Sequence, residues 1–393
     1  MGYLRGIEIK NYRVFRHVSL GQISWDVGNP LSNLCVFMGK NGCGKSTLLD
    51  VFSFLGDCLR EGVQSACDKP HRRGFESLRS KECLDPISFK IYYQKDDESP
   101  ITYELVMDCD NSGSPFVVKE SLKQRRANTK TGQPFPFLLL KRGKGWAWTG
   151  KTNVSETDDE MMIFPEYSKD SDDRVEVNLE RDIILGISSL GQLKEHPRIL
   201  EFSTFISDWY LSYFVPDHAR FLSRSGPQKY LDSTGSNIGN VLQHIKRNHP
   251  KVLDKVCKEL SRWIPRIHKV DVEETIDKRV VMRFFEDFVD PTFQMDMSDG
   301  TLKFFAYLLL LLSPQKRFFI GIEEPENSLY PDLQSQLARM FKEYTSKGFS
   351  SQIFVTTHSP YFLEVLGSHQ VWIFSKEVEG FVSCRLCEGL KEL

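Results

Sequence analysis

Residues 3–10 alternate apolar and polar side chains, the period of a strand with one buried face, and Leu34-Cys35-Val36-Phe37-Met38 follows as a second, apolar strand. Asn11-Tyr12-Arg13-Val14-Phe15-Arg16 lies between them and reads as a short polar and aromatic turn. Apolar spacing then changes to the helical period over residues 47–59. Residues 61–82 hold no period and include His71-Arg72-Arg73-Gly74, an irregular and partly basic excursion. Strand-like runs return at 87–93, 101–107 and 137–140, broken by Asp, Asn, Ser and Gly, and predict an antiparallel lobe. Lys123-Gln124-Arg125-Arg126 with Lys130, and Lys141-Arg142-Gly143-Lys144-Gly145-Trp146, are basic turns in that lobe. They read either as solvated hairpin tips or as nucleic-acid contacts, the second with an aromatic ring for stacking on bases.

The stretch 156–180 is acidic and poor in apolar residues, which predicts a loose connection. From 181 to 265 the pattern is helical: Phe202, Phe205, Ile206, Trp209 and Tyr210 are spaced for one buried face, and 238–263 reads as two helices split at Pro250. The last third alternates strands at 280–285, 317–323, 351–356 and 370–375 with helices at 301–312 and 332–346. The pattern therefore predicts an α/β fold whose core is split between the two ends of the chain, with an inserted antiparallel β lobe and a helical subdomain. The expected boundaries are 1–60, 61–180, 181–278 and 279–393.

Composition narrows the class of protein. A chain of 393 residues with 40% hydrophobic content can bury a sizeable core. A formal net charge of −2 argues against a chain wrapped wholesale in nucleic acid. The nine cysteines are odd in number and scattered, so a reducing cytoplasm is expected rather than a disulfide framework. Cys384-x-x-Cys387 is a single pair in a late strand, short of two ligands for zinc. The N-terminus alternates like a strand and shows no cleavable signal, and the greasy run from Phe304 to Leu312 is about half of a bilayer span. No membrane partner is expected.

The candidate chemistry begins at Gly39-Lys40-Asn41-Gly42-Cys43-Gly44-Lys45-Ser46-Thr47, a G-x-x-x-x-G-K-[ST] loop between a strand and a helix. Glycines let backbone N–H groups turn inward around phosphates, and the following helix points its positive end at them. Lys45 would neutralise the β- and γ-phosphates of ATP, Ser46 would offer its hydroxyl to Mg²⁺, and Thr47 would cap or pack the first turn. Arg13 and Arg16 precede the loop; either meets the nucleotide or solvates a turn. Gln192 is a candidate for the metal or the attacking water.

Arg317-Phe318-Phe319-Ile320-Gly321-Ile322-Glu323-Glu324 is an apolar strand ending in two carboxylates, a Walker B site. Glu323 would hold Mg²⁺ and Glu324 would polarise the water that attacks the γ-phosphate. Phe354-Val355-Thr356-Thr357-His358 is another buried strand, ending in a histidine placed to contact the γ-phosphate or that water. Ser298-Asp299-Gly300 opens the greasy helix and offers free N–H groups and a hydroxyl at its N-terminus.

In this order the phosphate loop, the Ser-Asp-Gly signature, Ile322-Glu323-Glu324-Pro325-Glu326-Asn327-Ser328-Leu329-Tyr330-Pro331 and Thr356-Thr357-His358-Ser359-Pro360 resemble ABC-type ATPases of the RecF, SMC and OLD group. The resemblance covers both ends of the chain, about half of it. It implies a P-loop NTPase of ABC type, with Lys45, Glu324 and the switch histidine His358 as the catalytic residues. It further implies head-to-tail pairing into a homodimer or higher homo-oligomer, in which Ser298 and Gly300 of one copy cap the γ-phosphate on the other and Asn327-Ser328-Leu329 lies at the seam. Two residues depart from the family: Glu323 stands where Asp is usual, and the signature reads S-D-G-T where transporters have S-G-G-Q.

No heptad arm is visible, and too few residues follow His358 for a fused TOPRIM nuclease. By resemblance the chain is then a stand-alone ATPase of bacterial anti-phage defence modules, similar to OLD and PARIS-type systems, which switches a separately encoded effector such as a TOPRIM-type nuclease or a toxin. Two alternatives stand beside it: a RecF-like repair ATPase that clamps DNA through Arg125, Arg126, Lys141 and Arg142, and a non-hydrolysing scaffold in which ATP is structural.

Overall fold

A computed structural model describes residues 2–24, 28–95, 99–124, 134–149, 174–287, 290–346, 351–377 and 382–387. The chain divides into two compact units. One is built from residues 1–32, 40–209 and 373–385, the other from 33–39, 210–372 and 386–393.

Among the described residues, the first unit carries an eight-stranded antiparallel sheet. Gly2–Tyr12 is its key strand, pairing with Phe15–Gly21 on one side and Ile87–Lys95 on the other. Ile101–Cys109, Pro115–Gln124, Phe135–Lys141, Lys144–Trp148 and Arg174–Asn178 continue it in order. The expected turn at residues 11–16 is thus a tight hairpin, and its second strand went unread because Phe15, Val18 and Leu20 break the period of two. The β-rich lobe expected at 61–180 shares its sheet with the N-terminal strand, so residue 60 is no boundary in this unit.

The loop helix Lys45–Glu61 packs in this unit, with the rings of Tyr12, Phe54 and Phe89 5.4–6.0 Å apart. Residues 61–82 contain two short helices, Val63–Cys67 and Phe75–Leu78, where no period was read. Further on, Phe202 and Phe205 of the helix Pro197–Ser207 meet the ring of Tyr93, and Phe205 reaches Trp209; the aromatic stripe is core.

The second unit carries four parallel strands of a six-stranded sheet, in the order Tyr210–Ser212, Phe319–Glu323, Gln352–Thr357, Leu34–Gly39. Its strands are buried on both faces, which is why they read as continuous apolar runs. The rings of Phe37 and Phe319 each meet Phe354 edge to face across three of them, at 5.3 and 4.8 Å. Each such buried side chain contributes about 1.5–3 kcal/mol. The helix Asp299–Leu312 is buried along almost its whole length, as the greasy run predicts, and Pro331–Ser346 follows the Walker B strand.

The helices Ile238–Asn248 and Pro250–Trp263 split at Pro250 as expected. Ile267–Glu274, however, is a strand within the span 181–278 expected as the helical subdomain, pairing antiparallel with Val280–Glu286. No helix among the described residues is long and apolar enough to cross a membrane.

Candidate functional site

The strand Leu34–Gly39 runs straight into the glycine-rich loop, which belongs to the first unit from Lys40 onward. Gly42 and Gly44 sit at φ +77° and +95°, a region that favours glycine. A Cβ on Gly44 would stand 2.6 Å from the ring of Phe15, whereas nothing lies within 4 Å of one on Gly42. The loop therefore packs on one side and is open on the other. Cys43, Gly44 and Lys45 are buried; Lys40, Asn41, Gly42 and Ser46 are exposed and Thr47 is half-buried.

Lys45 begins the helix and folds back, its Nζ donating to the Lys40 carbonyl at 3.2 Å and lying 3.9 Å from Cys43 Sγ. The helix has no side-chain N-cap and no acid in its first turn. A row of helix N–H groups, an open glycine cradle and an ammonium aimed back at the loop together fit a polyphosphate.

Arg13 sits at the tip of the hairpin with φ +51°. Its guanidinium pairs with Asp50 at 3.0 Å and donates to the His71 carbonyl at 3.2 Å. Asp50, one turn beyond Ser46 on the loop helix, also accepts from Tyr12 Oη at 2.7 Å and Arg72 Nε at 3.1 Å. Arg72 is wholly buried and bonds Asp57 at 2.7 Å and the Ala66 carbonyl at 3.0 Å. Burial would raise the Asp57 carboxyl, yet bonds from Lys69 and Arg72 hold it below the usual range. This buried network pins the excursion 61–82 to the loop helix, and sequence reasoning missed it because its members lie up to 60 residues apart. Arg16 donates to the Lys81 carbonyl. Gln192 is exposed in the turn after Gly186–Leu190, its amide nitrogen bonding the Ser188 carbonyl at 3.1 Å.

In the second unit, parallel pairing brings three strand ends level: Glu323 opposite Thr356, and Thr357 opposite Met38, the residue before Gly39. Glu324 and His358 meet here. Glu324 follows its strand at φ +41°, a left-handed conformation rare for glutamate. Its N–H donates to the Thr356 carbonyl at 3.0 Å, and its own carbonyl accepts Lys303 Nζ at 2.9 Å. Its carboxylate takes a bond from Asn327 Nδ2 at 2.9 Å on one oxygen and faces His358 Nε2 at 3.2 Å on the other.

Glu326 is buried beside it, and its Oε1 accepts the His358 N–H at 2.7 Å and Thr357 Oγ1 at 2.8 Å. It thereby clamps the histidine strand to the Walker B turn. Lys303, buried on the signature helix, has its ammonium pushed down to about 8 by burial, despite the nearby charges of Glu326, Glu324 and Asp299.

Ser298 caps that helix, accepting the Thr301 N–H at 3.2 Å. Asp299, the departure in the signature, pairs with Arg220, which also donates to the Met297 carbonyl at 2.8 Å and to Asp217 at 2.6 Å. The extra negative charge beside Ser298 is thus balanced locally. Gly300 faces the turn after Glu324: a Cβ on it would stand 2.5 Å from the Ser328 carbonyl oxygen, and Ser328 itself sits at φ +68°. Ser298, Gly300, Glu323, Glu324 and His358 therefore share one end of this unit. Arg220, Lys303 and the role of Glu326 were not read from sequence; Glu326 stood inside the quoted motif, and the others had no local signal.

Arg142 and Trp146 of the second basic turn are engaged within the β lobe. Arg142 lies 3.9 Å over the Phe116 ring and 3.7 Å from Asp182, and Arg174 covers the Trp146 ring at 4.3 Å. Arg125, Arg126 and Lys130 lie outside the described residues.

A family model described as "AAA domain, putative AbiEii toxin, Type IV TA system" matches residues 34–364. No curated protein matches the chain. Among solved structures, an SMC head bound to the C-terminal winged-helix domain of ScpA aligns over 100% of both chains with TM-score 0.56 and 13% identity. An SMC head with an extended coiled coil, bound to the C-terminal domain of ScpA from Pyrococcus furiosus, aligns over 98% of this chain and 96% of that one with TM-score 0.51 and 12% identity. At such identities the likeness is one of fold: a P-loop ATPase fold of ABC type.

Proposed function

The chain belongs to the AAA-domain family described as putative AbiEii toxin, Type IV TA system, and on that premise we propose that it is an ATP-hydrolysing switch. The loop amides and Lys45 bind the phosphates of ATP, and Glu324 polarises the attacking water. His358 steadies that carboxylate and the γ-phosphate end of the site. Ser46 and Glu323 would hold Mg²⁺, which when bound would neutralise phosphate charge. Ser298 and Gly300 of a second copy close over the γ-phosphate, so ATP drives head-to-tail dimerisation. The observation that carries this reading is the Glu324 carboxylate fixed between Asn327 and His358, which suits a base more than a structural acid.

The output of the switch is a separately encoded effector, a nuclease or toxin, in a bacterial defence setting. The family description, with its toxin and Type IV TA system, supports that direction. The fixed Glu324 also weighs against a scaffold that only holds ATP.

Sedimentation and phosphate release on Glu324→Gln, with and without Mg-ATP, test the proposal. The expected result is an ATP-dependent doubling of mass with turnover abolished. Unchanged phosphate release, or a monomer under all conditions, would overturn it. Ser298→Arg should still bind ATP yet remain monomeric.

A further inference from the structure

The strongest unassigned feature lies on the helix Pro250–Trp263 of the second unit. Between residues 246 and 269 stand eight Lys and Arg against two acids, in a chain whose net charge is −2. Lys246 and Arg247 pair with Asp271 and Glu274, and Lys269 lies over the Phe285 ring. Arg266 lies beyond the end of the helix, and Lys251, Lys255, Lys258 and Arg262 remain on it. Their spacing of four, three and four residues sets them in a single row within an arc of about 60° and over about 16 Å of helix. All four are exposed, while Val256 and Leu260 on the opposite side are buried.

The three lysines of the row make no hydrogen bond or ion pair among the described residues, and Arg262 has only a 3.9 Å contact with Glu259. A second segment adds to the same field. Lys316 has its ammonium pushed down, first by burial and then by the charge of Lys255. Asp254 and Glu259 on the same helix offset only part of this charge; like charges held in one row raise the energy of the free protein, a cost that an anionic partner would lower.

We propose that this row binds the phosphate backbone of duplex DNA. Several features select that occupant. A duplex carries one negative charge per about 1.7 Å of axis, a density that few protein surfaces reach. The row also spans about 16 Å, more than the roughly 12 Å width of the B-form major groove, so its two ends reach the backbones on either side. Along the helix the sole aromatic residue is Trp263, half-buried with Arg262 over its ring at 5.1 Å, so there is no platform for stacking unpaired bases. The contact is sequence-independent and does not depend on the nucleotide reading above. It assigns the DNA contact to the helix Pro250–Trp263 rather than to the lobe turns at 123–126 and 141–146.

The experiment is fluorescence anisotropy of the full chain with a random-sequence 30-base-pair DNA duplex between 50 and 200 mM salt. With four phosphate contacts the wild type should lose roughly 100-fold in affinity over that range, and the variant Lys251→Gln/Lys255→Gln/Lys258→Gln only a few-fold. The variant should bind at least tenfold more weakly at 50 mM salt, with its melting temperature and ATP affinity unchanged. No duplex binding by the wild type at 50 mM salt, or equal binding by the variant, overturns the proposal. So does tighter binding of a matched RNA duplex, or equal competition by polyglutamate, which would mark the row as a docking face for an acidic protein.

Discussion

His358 Nε2 stands 3.2 Å from Oε1 of Glu324, while Asn327 Nδ2 holds the other carboxylate oxygen at 2.9 Å. The backbone at Glu324 is left-handed, a conformation that costs a non-glycine residue about 1–3 kcal/mol. That strain is offset by bonds from the Glu324 N–H to Thr356 and from Lys303 to its carbonyl. Surrounding structure, not local preference, therefore sets the direction of the carboxylate, as expected where a base must be aimed before substrate arrives.

His358→Ala should lower ATP turnover by about 10- to 100-fold, within the range of a general acid–base contribution. ATP affinity should hold, because the role proposed for the histidine is to hold the Glu324 carboxylate, whereas the loop amides and Lys45 bind the phosphates. Asn327→Ala should act in the same direction. Phosphate release and calorimetry in parallel separate the two quantities, and a loss of ATP affinity equal to the loss of turnover would contradict the positioning role.

Gly300→Ala places a methyl group 2.5 Å from the Ser328 carbonyl, backbone that has nowhere simple to move. Overpacking of this kind costs about 1–3 kcal/mol. The expected outcome is a lower denaturation midpoint together with loss of ATP-dependent dimerisation, since the signature and the turn after Glu324 move apart. Chemical denaturation and sedimentation of the same sample check both. A variant that melts normally and dimerises would show that the turn is loose.

Arg72→Ala should destabilise the chain by about 3–5 kcal/mol, because it leaves Asp50 and Asp57 without their buried partner. Arg72→Lys should recover little of this, since one ammonium cannot reach both carboxylates in the geometry of a guanidinium. Arg13, which shares Asp50, should lose its fixed position as well. A urea titration gives the midpoint, and a change below about 1 kcal/mol would mean that the pair is replaceable.

The parts of the site that share a short motif were legible in the sequence. Ser298 with Gly300, and Glu323 with Glu324, stand at fixed spacings because one turn of backbone must present them together. Lys303, Arg220 and Arg72 act on residues 21, 79 and 22 positions away, and no local pattern marks such partners. The buried parallel strands were legible as apolar runs. Ile267–Glu274 was not, because a register shift between Ile267 and Lys269 breaks its alternation. Tyr210–Ser212 is too short for any period to show and lies at the end of an aromatic stripe of helical spacing.

Lys303 connects signature and base by donating to the Glu324 carbonyl at 2.9 Å, and burial pushes its ammonium from 10.5 down to about 8. Below pH 8 both the folded and unfolded chains keep this proton, and the folded chain carries the full cost of a buried charge, about 3 kcal/mol from the size of the shift. Between pH 8 and 10.5 the unfolded chain still holds a proton that the folded chain has lost, so this residue's contribution to stability improves as pH rises. Its bond to Glu324 changes in the opposite sense, because a neutral amine donates more weakly than an ammonium. Turnover in the wild type should therefore fall with an apparent pKa near 8 while thermal stability does not. Lys303→Arg, which cannot lose its charge in that range, should remove the alkaline limb, and Lys303→Met should lower turnover at every pH. A pH profile that is identical in the wild type and Lys303→Arg would assign the alkaline limb to another group and leave Lys303 a purely packing role.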